Sequence, residues 1–394
     1  MLFRHPRSRS RLYSPRSFIY GILASLVVAS APLSALAQAV EQVPASVADA
    51  QARAVDSARA RVREWVAKDN LAGASVAVGI DGQIVWAEGF GWADIEQQVP
   101  VTALTRFRIG SVSKPLTSVA VGVLYEKGKI DLDAPVQKYV PSFPKKRWPI
   151  STRQVMGHVA GIRHYQGDEF LSSKHYDNVL AGLEIFENDS LLFRPGTQYS
   201  YSTYGWNLVS AIVESAAGEP FLDFMRREVF APLGLRHTVP EYMASIIPDR
   251  GDYYEHDKDG RLVNAPYVDN SYKWAGGGFL STSSDLVRFG FGMLDARVLQ
   301  RKTVDLLWTP LTLESGKSTG YGLGWSVATV DGHRVIGHSG GSVGGTTQFL
   351  IFPDERMVVA VTTNLSDAKV GPIANEVAKL FAATETAGTP SRSR

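Results

Sequence analysis

The sequence predicts an α+β fold: an antiparallel sheet flanked by helices, interrupted by an inserted, mainly helical domain. Three observations carry that reading. Apolar runs joined by tight turns occur near both ends of the chain, over 73–92 and again over 322–363. Between them, residues 131–270 hold prolines, aromatics and short helical patches with few alternating runs. The strands come as hairpins, not as strand–helix–strand units, which requires antiparallel pairing with helices packed on the sheet.

Composition sets the outer bounds. The chain has 394 residues, 44% hydrophobic and 20% charged, which is ordinary for a globular protein and excludes a disordered chain or a coiled coil. It has no cysteine, so disulfides, thiolate metal sites and a cysteine nucleophile are excluded. The net charge of +2 is uneven: Arg4, Arg7, Arg9, Arg11 and Arg16 all precede the first acid, Glu41. Without residues 1–37, 36 basic side chains face 39 acidic ones. A slightly acidic body gives nucleic acid no footprint.

The elements follow in chain order. After the arginines comes an apolar run, Phe18–Ala31, and then Ala35-Leu36-Ala37. Residues 1–37 thus read as a secretory signal peptide, with a mature protein starting at Gln38 in the periplasm or outside the cell. The run is shorter than the roughly 20 residues of a membrane span. An uncleaved anchor is the alternative, and no other stretch of the mature chain could span a bilayer. Residues 38–46 form a linker. Val47, Ala50, Ala54, Ala58, Val62 and Trp65 recur at helical spacing. Strands over 73–80 and 83–92 meet at Asp81-Gly82, a strong hairpin signal. A helix over 111–127 ends at Gly128, and another over 206–217 ends at Gly218. Late strands over 322–330 and 333–337 flank Asp331-Gly332, and strands over 346–352 and 357–363 flank residues 353–356. A helix over 372–382 closes the fold, before a disordered tail at 384–394. Residues 47–130 and 271–383 would form the sheet domain, and 131–270 the inserted one.

The chemistry starts at Gly110-Ser111-Val112-Ser113-Lys114-Pro115. On a helix, Ser111 and Lys114 share one face. A serine needs a neighbour to take its proton, and a lysine can do so if desolvation or nearby cations lower its pKa. A helix N-terminus adds free N–H groups where negative charge develops. Gly337-His338-Ser339-Gly340-Gly341 also fits G-x-S-x-G, the nucleophile elbow of α/β-hydrolases. That elbow needs a helix after the serine and a later histidine, and no histidine follows His338. His158 and His164 near Asp168 and Glu169 lack metal-ligand spacing, so no metal site and no cofactor are expected. Gly276-Gly277-Gly278 suits a close backbone approach better than a phosphate loop.

Further segments accompany the S-x-x-K: Gly157-His-Val-Ala-Gly-Ile-Arg-His-Tyr165, Phe193-Arg-Pro-Gly-Thr-Gln-Tyr-Ser-Tyr201-Ser202-Thr203, Ala275–Leu286 and Ile336-Gly-His338-Ser339-Gly340-Gly341. In order and spacing they resemble the serine β-lactamase and penicillin-binding protein superfamily, in its class C-like hydrolase branch. The variants around Tyr201 and His338 look most like the β-lactamase-like serine proteases of mitochondrial type. The resemblance spans about residues 55–383 and implies the β-lactamase/transpeptidase-like fold. It implies that Ser111 is acylated and that Lys114 and Tyr201 move protons, Tyr201 being activated by the nearby cation. The N–H groups of Ser111 and Gly341 would form the oxyanion hole. Thr203, His338, Ser339 and Gly340 would bind substrate. Thr203 stands where the family has an asparagine and His338 where it has a lysine. A histidine there would hold a substrate carboxylate only when protonated, near its ordinary pKa of about 6.5. Small peptide, amide or ester substrates are expected, hydrolysed by a peptidase or amidase. A carboxylesterase and a non-catalytic binding or self-assembling protein are the alternatives. The oligomeric state is left open.

Overall fold

The computed structural model describes residues 45–386. The expected signal peptide and most of the expected linker and tail lie outside the described residues. Helix α1, Ala45–Lys68, begins two residues before the periodic apolar pattern does. Strands β1 (Gly73–Ile80) and β2 (Gln83–Asp94) form the first hairpin, and β3 (Val99–Pro100) adds a short edge. Helix α2 is Ser113–Glu126 and α3 is Thr203–Ala217. Helix α4, Ser283–Leu294, was not foreseen as a helix; the Thr282 side chain caps it by accepting from the Asp285 N–H. Strands β4 (Ser326–Val330), β5 (His333–Ser342), β6 (Gly345–Phe352) and β7 (Met357–Thr363) follow. Helix α5, Val370–Thr386, reaches into the segment expected as tail.

These strands form one seven-stranded sheet in the order β3-β2-β1-β7-β6-β5-β4. All the neighbouring strands pair antiparallel. At its centre the first long strand meets the last, with Ala77 opposite Ala360. Alternation along β7 sends Val359 and Val361 to one face, and Val358 and Ala360 to the other. Ala58, Val62 and Trp65 of α1 and Phe381 of α5 cover the first face. Helix α4 covers the second, and α2 and α3 belong to the same core. Both faces are therefore dry, which explains why β1 is buried throughout.

Two boundaries differ from expectation for local reasons. The strand expected from 322 starts at Ser326, because the Gly322 N–H bonds to the Trp325 carbonyl in a turn. The helix expected from 111 opens with a 3₁₀ turn, Gly110–Val112, before α2 proper. From Ala45 onward the chain forms one compact unit. Residues 131–270 contribute α3 and several short helical turns to the core that also holds α2 and α4.

Candidate active site

The site lies where α2 begins beneath β5. Helix α2 is buried on every side from Ser113 to Leu124, so a lysine in its first turn has no route to water. Two glycines let strand β5 close on the turn before it. A Cβ on Gly340 would stand 2.0 Å from the Ile109 carbonyl oxygen and 3.1 Å from the Ser111 nitrogen. One on Gly110, whose φ is +48°, would stand 2.5 Å from the Gly341 oxygen. This approach brings the backbones of Ser111 and Gly341 together, the two residues expected to supply oxyanion donors. Along β5, Ser339 and Gly341 are exposed while Gly340 is buried, as strand alternation requires.

Lys114 is fully buried, and its Nζ has three polar neighbours. They are Ser111 Oγ at 2.9 Å, the Gly276 carbonyl at 2.8 Å and Thr203 Oγ1 at 3.2 Å. Burial drives its pKa well below the ordinary lysine value, and the charge of Lys273 adds to the effect. A neutral amine fits this set: two N–H groups serve Gly276 and Thr203, and the lone pair accepts from the Ser111 hydroxyl. Gly276 belongs to the glycine run read as a close backbone approach, and its carbonyl is the atom that approach delivers.

The Tyr201 ring centroid lies 4.8 Å from Lys114 Nζ. The expected activation by a cation is opposed by burial, which raises the phenol's pKa, while the neighbouring Ser111 hydroxyl acts the other way. Tyr201 is thus held as a neutral phenol.

Two histidines outside the expected site fix this segment. His158 Nδ1 accepts from the Ser202 N–H at 3.1 Å, and the His158 carbonyl accepts from the Ser200 N–H at 2.9 Å. The His158 ring lies 4.2 Å from that of Tyr201. His164 Nδ1 accepts from the Thr203 N–H at 3.3 Å. Both imidazoles must stay neutral at Nδ1 to accept. Burial agrees, lowering the His158 pKa well below normal and pushing that of His164 down to about 4. The two rings thus hold the loop that carries Tyr201. Among the described residues no group of three or more histidines and acids could hold a metal.

Two expected substrate contacts are corrected. His338 is 5% exposed, and both ring nitrogens are occupied: the Tyr321 hydroxyl lies 2.7 Å from Nε2 and the Ser339 carbonyl 2.5 Å from Nδ1. The carbonyl can only accept, so Nδ1 carries the proton and Nε2 accepts from Tyr321. Burial, with Lys114 nearby, pushes its pKa down to about 3. The ring is held neutral, with both nitrogens bonded within the protein, in place of the partly protonated cation expected. Thr203 is also buried, and its hydroxyl faces Lys114 instead of the open cleft. The rival nucleophile fails too: Ser339 lies within β5 and the chain continues into strand β6, not a helix.

Sequence reasoning did not find Lys273, a buried lysine that acts on Lys114. Its place just before Trp274-Ala275-Gly276 carries no signal of burial.

Residues 58–383 match the family model described as Beta-lactamase. The chain is 34% identical over 407 residues to "Serine beta-lactamase-like protein LACTB, mitochondrial" of Bos taurus, covering 77% of this chain and 72% of the relative. It is 27% identical over 305 residues to a D-aminopeptidase of Gluconobacter oxydans (strain 621H), covering 76% of this chain and 57% of that one. The structure of the octameric penicillin-binding protein homologue from Pyrococcus abyssi superposes with a TM-score of 0.72 at 25% identity, over 85% of this chain and 78% of that one. A family match that runs from within α1 to within α5 takes in the whole sheet and the S-x-x-K serine: the chain belongs to the beta-lactamase family, on the branch of the LACTB serine beta-lactamase-like proteins.

Proposed function

We propose that the protein is a serine hydrolase that forms an acyl-enzyme on Ser111 and cleaves small peptides or amides. One observation carries this reading: the Nζ of a fully buried lysine lies 2.9 Å from the serine hydroxyl. Water exclusion makes that amine a base, and a base at hydrogen-bond distance makes the serine a nucleophile.

The steps use the groups already placed. Lys114 takes the Ser111 proton as Oγ bonds to the substrate carbonyl carbon. The N–H groups of Ser111 and Gly341 receive the developing oxyanion. When the carbon–nitrogen bond breaks, the neutral Tyr201 phenol gives its proton to the leaving amine, and the Lys114 ammonium restores it. In the second half, water gives up a proton along the same path and attacks the acyl carbon, and Ser111 leaves with its hydroxyl restored. The D-aminopeptidase relative supports amide substrates by its name; an ester would use the same groups.

Intact-protein mass spectrometry with a fluorophosphonate tests the proposal, together with turnover of p-nitrophenyl esters and D-amino-acid anilides. Wild type should gain one label on Ser111. Ser111→Ala and Lys114→Ala should each lose kcat by several orders of magnitude, as for residues acting as a unit. Ser339→Ala should still label at Ser111. Label on Ser339, or none in the wild type, overturns the reading.

A further inference from the structure

Two buried lysines flank one glycine turn beside the nucleophile. The Gly276 carbonyl lies 2.8 Å from Lys114 Nζ. A Cβ on the next residue, Gly277, would stand 3.7 Å from both Lys273 Cδ and the Gly110 carbonyl carbon. Gly277 therefore lies between the Lys273 stem and the turn that carries Ser111. Lys273 is only 2% exposed and Lys114 not at all. The charge of Lys273 acts on Lys114 through space, and two ammonium groups out of water repel one another, so the pair is more stable with one charge than with two.

The surroundings decide which lysine keeps its charge. Lys273 Nζ sits 4.5 Å from the ring centroid of Phe170, 5.1 Å from Tyr272 and 5.5 Å from Tyr165. Three ring faces within about 6 Å favour a cation. Among the described residues Lys114 has Tyr201 alone within that range, and its polar partners suit a free amine. Glu241 acts on Lys273 through space but is committed to a buried ion pair with Arg108.

We propose that Lys273 is a positioning residue for catalysis: held in its aromatic cage, it carries the positive charge of the lysine pair and so keeps Lys114 the free amine that takes the Ser111 proton. This rests on the serine-hydrolase reading above. Burial, with Arg108 nearby, pushes the Lys273 pKa down to about 7, and burial together with the Lys273 charge drives that of Lys114 well below its ordinary value. Lys273 is then charged in mild acid, where Lys114 would otherwise capture a proton. The other groups facing the pair do not alter the sign. Arg108 and Glu241 offset each other, and Glu169 is paired with Arg163. Burial keeps His158, His164 and His338 neutral, and likewise Tyr165, Tyr201 and Tyr272.

The test is the rate of Ser111 labelling by an uncharged fluorophosphonate, and kcat/KM for a neutral p-nitrophenyl ester, from pH 4.5 to 9. Lys273→Met fills the cage without charge. Its acid limb should move to higher pH by about one unit, so that the rate on that limb falls about tenfold. Lys273→Arg keeps a cation and should leave the limb near that of wild type. An unmoved or lowered limb in Lys273→Met overturns the proposal, as does an equal shift in Lys273→Arg. Lysine ε-carbon NMR of the wild-type protein gives a reading that does not depend on Lys273→Met folding: Lys114 should lose its proton at lower pH than Lys273, and the reverse order overturns the idea. Absence of wild-type labelling sinks this inference together with the hydrolase reading. Normal labelling that Lys114→Ala abolishes, with no shift in Lys273→Met, sinks this inference alone.

Discussion

At residue 338 a histidine is buried on the strand beside the nucleophile turn, and its burial sets the charge that the strand can offer. With its pKa pushed down to about 3 and both nitrogens bonded within the protein, the ring offers a substrate no charge. Carboxylate-bearing substrates therefore gain nothing there, and a charge-assisted bond worth roughly 1.5–3 kcal/mol is missing. We expect neutral esters and amides to be turned over better than penicillins. We also expect the KM of carboxylate substrates to show no inflection from His338 between pH 5 and 8. Imidazole NMR of His338 at pH 5 should report a neutral ring; half-protonation near pH 6.5 would restore the carboxylate role. The identity of this residue was legible in the sequence, as were Ser111 and Lys114 through their spacing. The charge state of His338 was not, because Tyr321 and the cover over the ring come from distant segments. Lys273 was invisible for the same reason: a lone lysine is read as solvated until its neighbours are known.

The turn that carries Ser111 is a separate element from α2, and a buried ion pair anchors it. Arg108 donates through Nε to both oxygens of Glu241 at 2.8 Å, and through a second nitrogen to the Val343 carbonyl at 2.7 Å. Asn270 donates to the same carboxylate, and the Arg108 guanidinium lies 3.5 Å from the Tyr253 ring centroid. Removing one partner leaves the other charged in a dry site, at a cost of about 3–5 kcal/mol. Glu241→Leu should therefore lose that much in urea unfolding, whereas Arg108→Met/Glu241→Leu should lose less than Glu241→Leu alone. A double variant as unstable as the single would show that the anchor works through shape and not through charge. Hairpins at Asp81-Gly82 and Asp331-Gly332 were legible because their turns are local. The 3₁₀ start at Gly110 was not, since the approach of Gly341 imposes it. Helix α4 was missed although its Thr282 cap is local, because its run was read only as part of a motif.

Across the whole molecule, three neutral imidazoles near the site couple folding to acid. Their folded pKa values lie below the ordinary 6.5: well below for His158, about 4 for His164 and about 3 for His338. The unfolded chain thus binds more protons than the native one between those values and about pH 6.5. The stabilisation is present above pH 6.5 and is lost as pH falls towards the folded values. The combined loss is on the order of a few kcal/mol, with the partly exposed His164 contributing least. The Tm should fall steadily from pH 7 to pH 4. His338→Gln, which cannot titrate, should flatten that slope; an unchanged slope would remove His338 from the account. The α+β class was legible at this scale from the hairpins alone. The strand order was not, because no local pattern says that β1 pairs with β7.

That central pairing also orders events in time. Ala77 waits for Ala360, so the middle of the sheet cannot form until nearly the whole chain has been made. Closing so long a loop is entropically slow, and until it closes β1 presents an open edge that other chains can pair with. The centre of the sheet is thus the last part of this fold to close, after the local hairpins on either side of it.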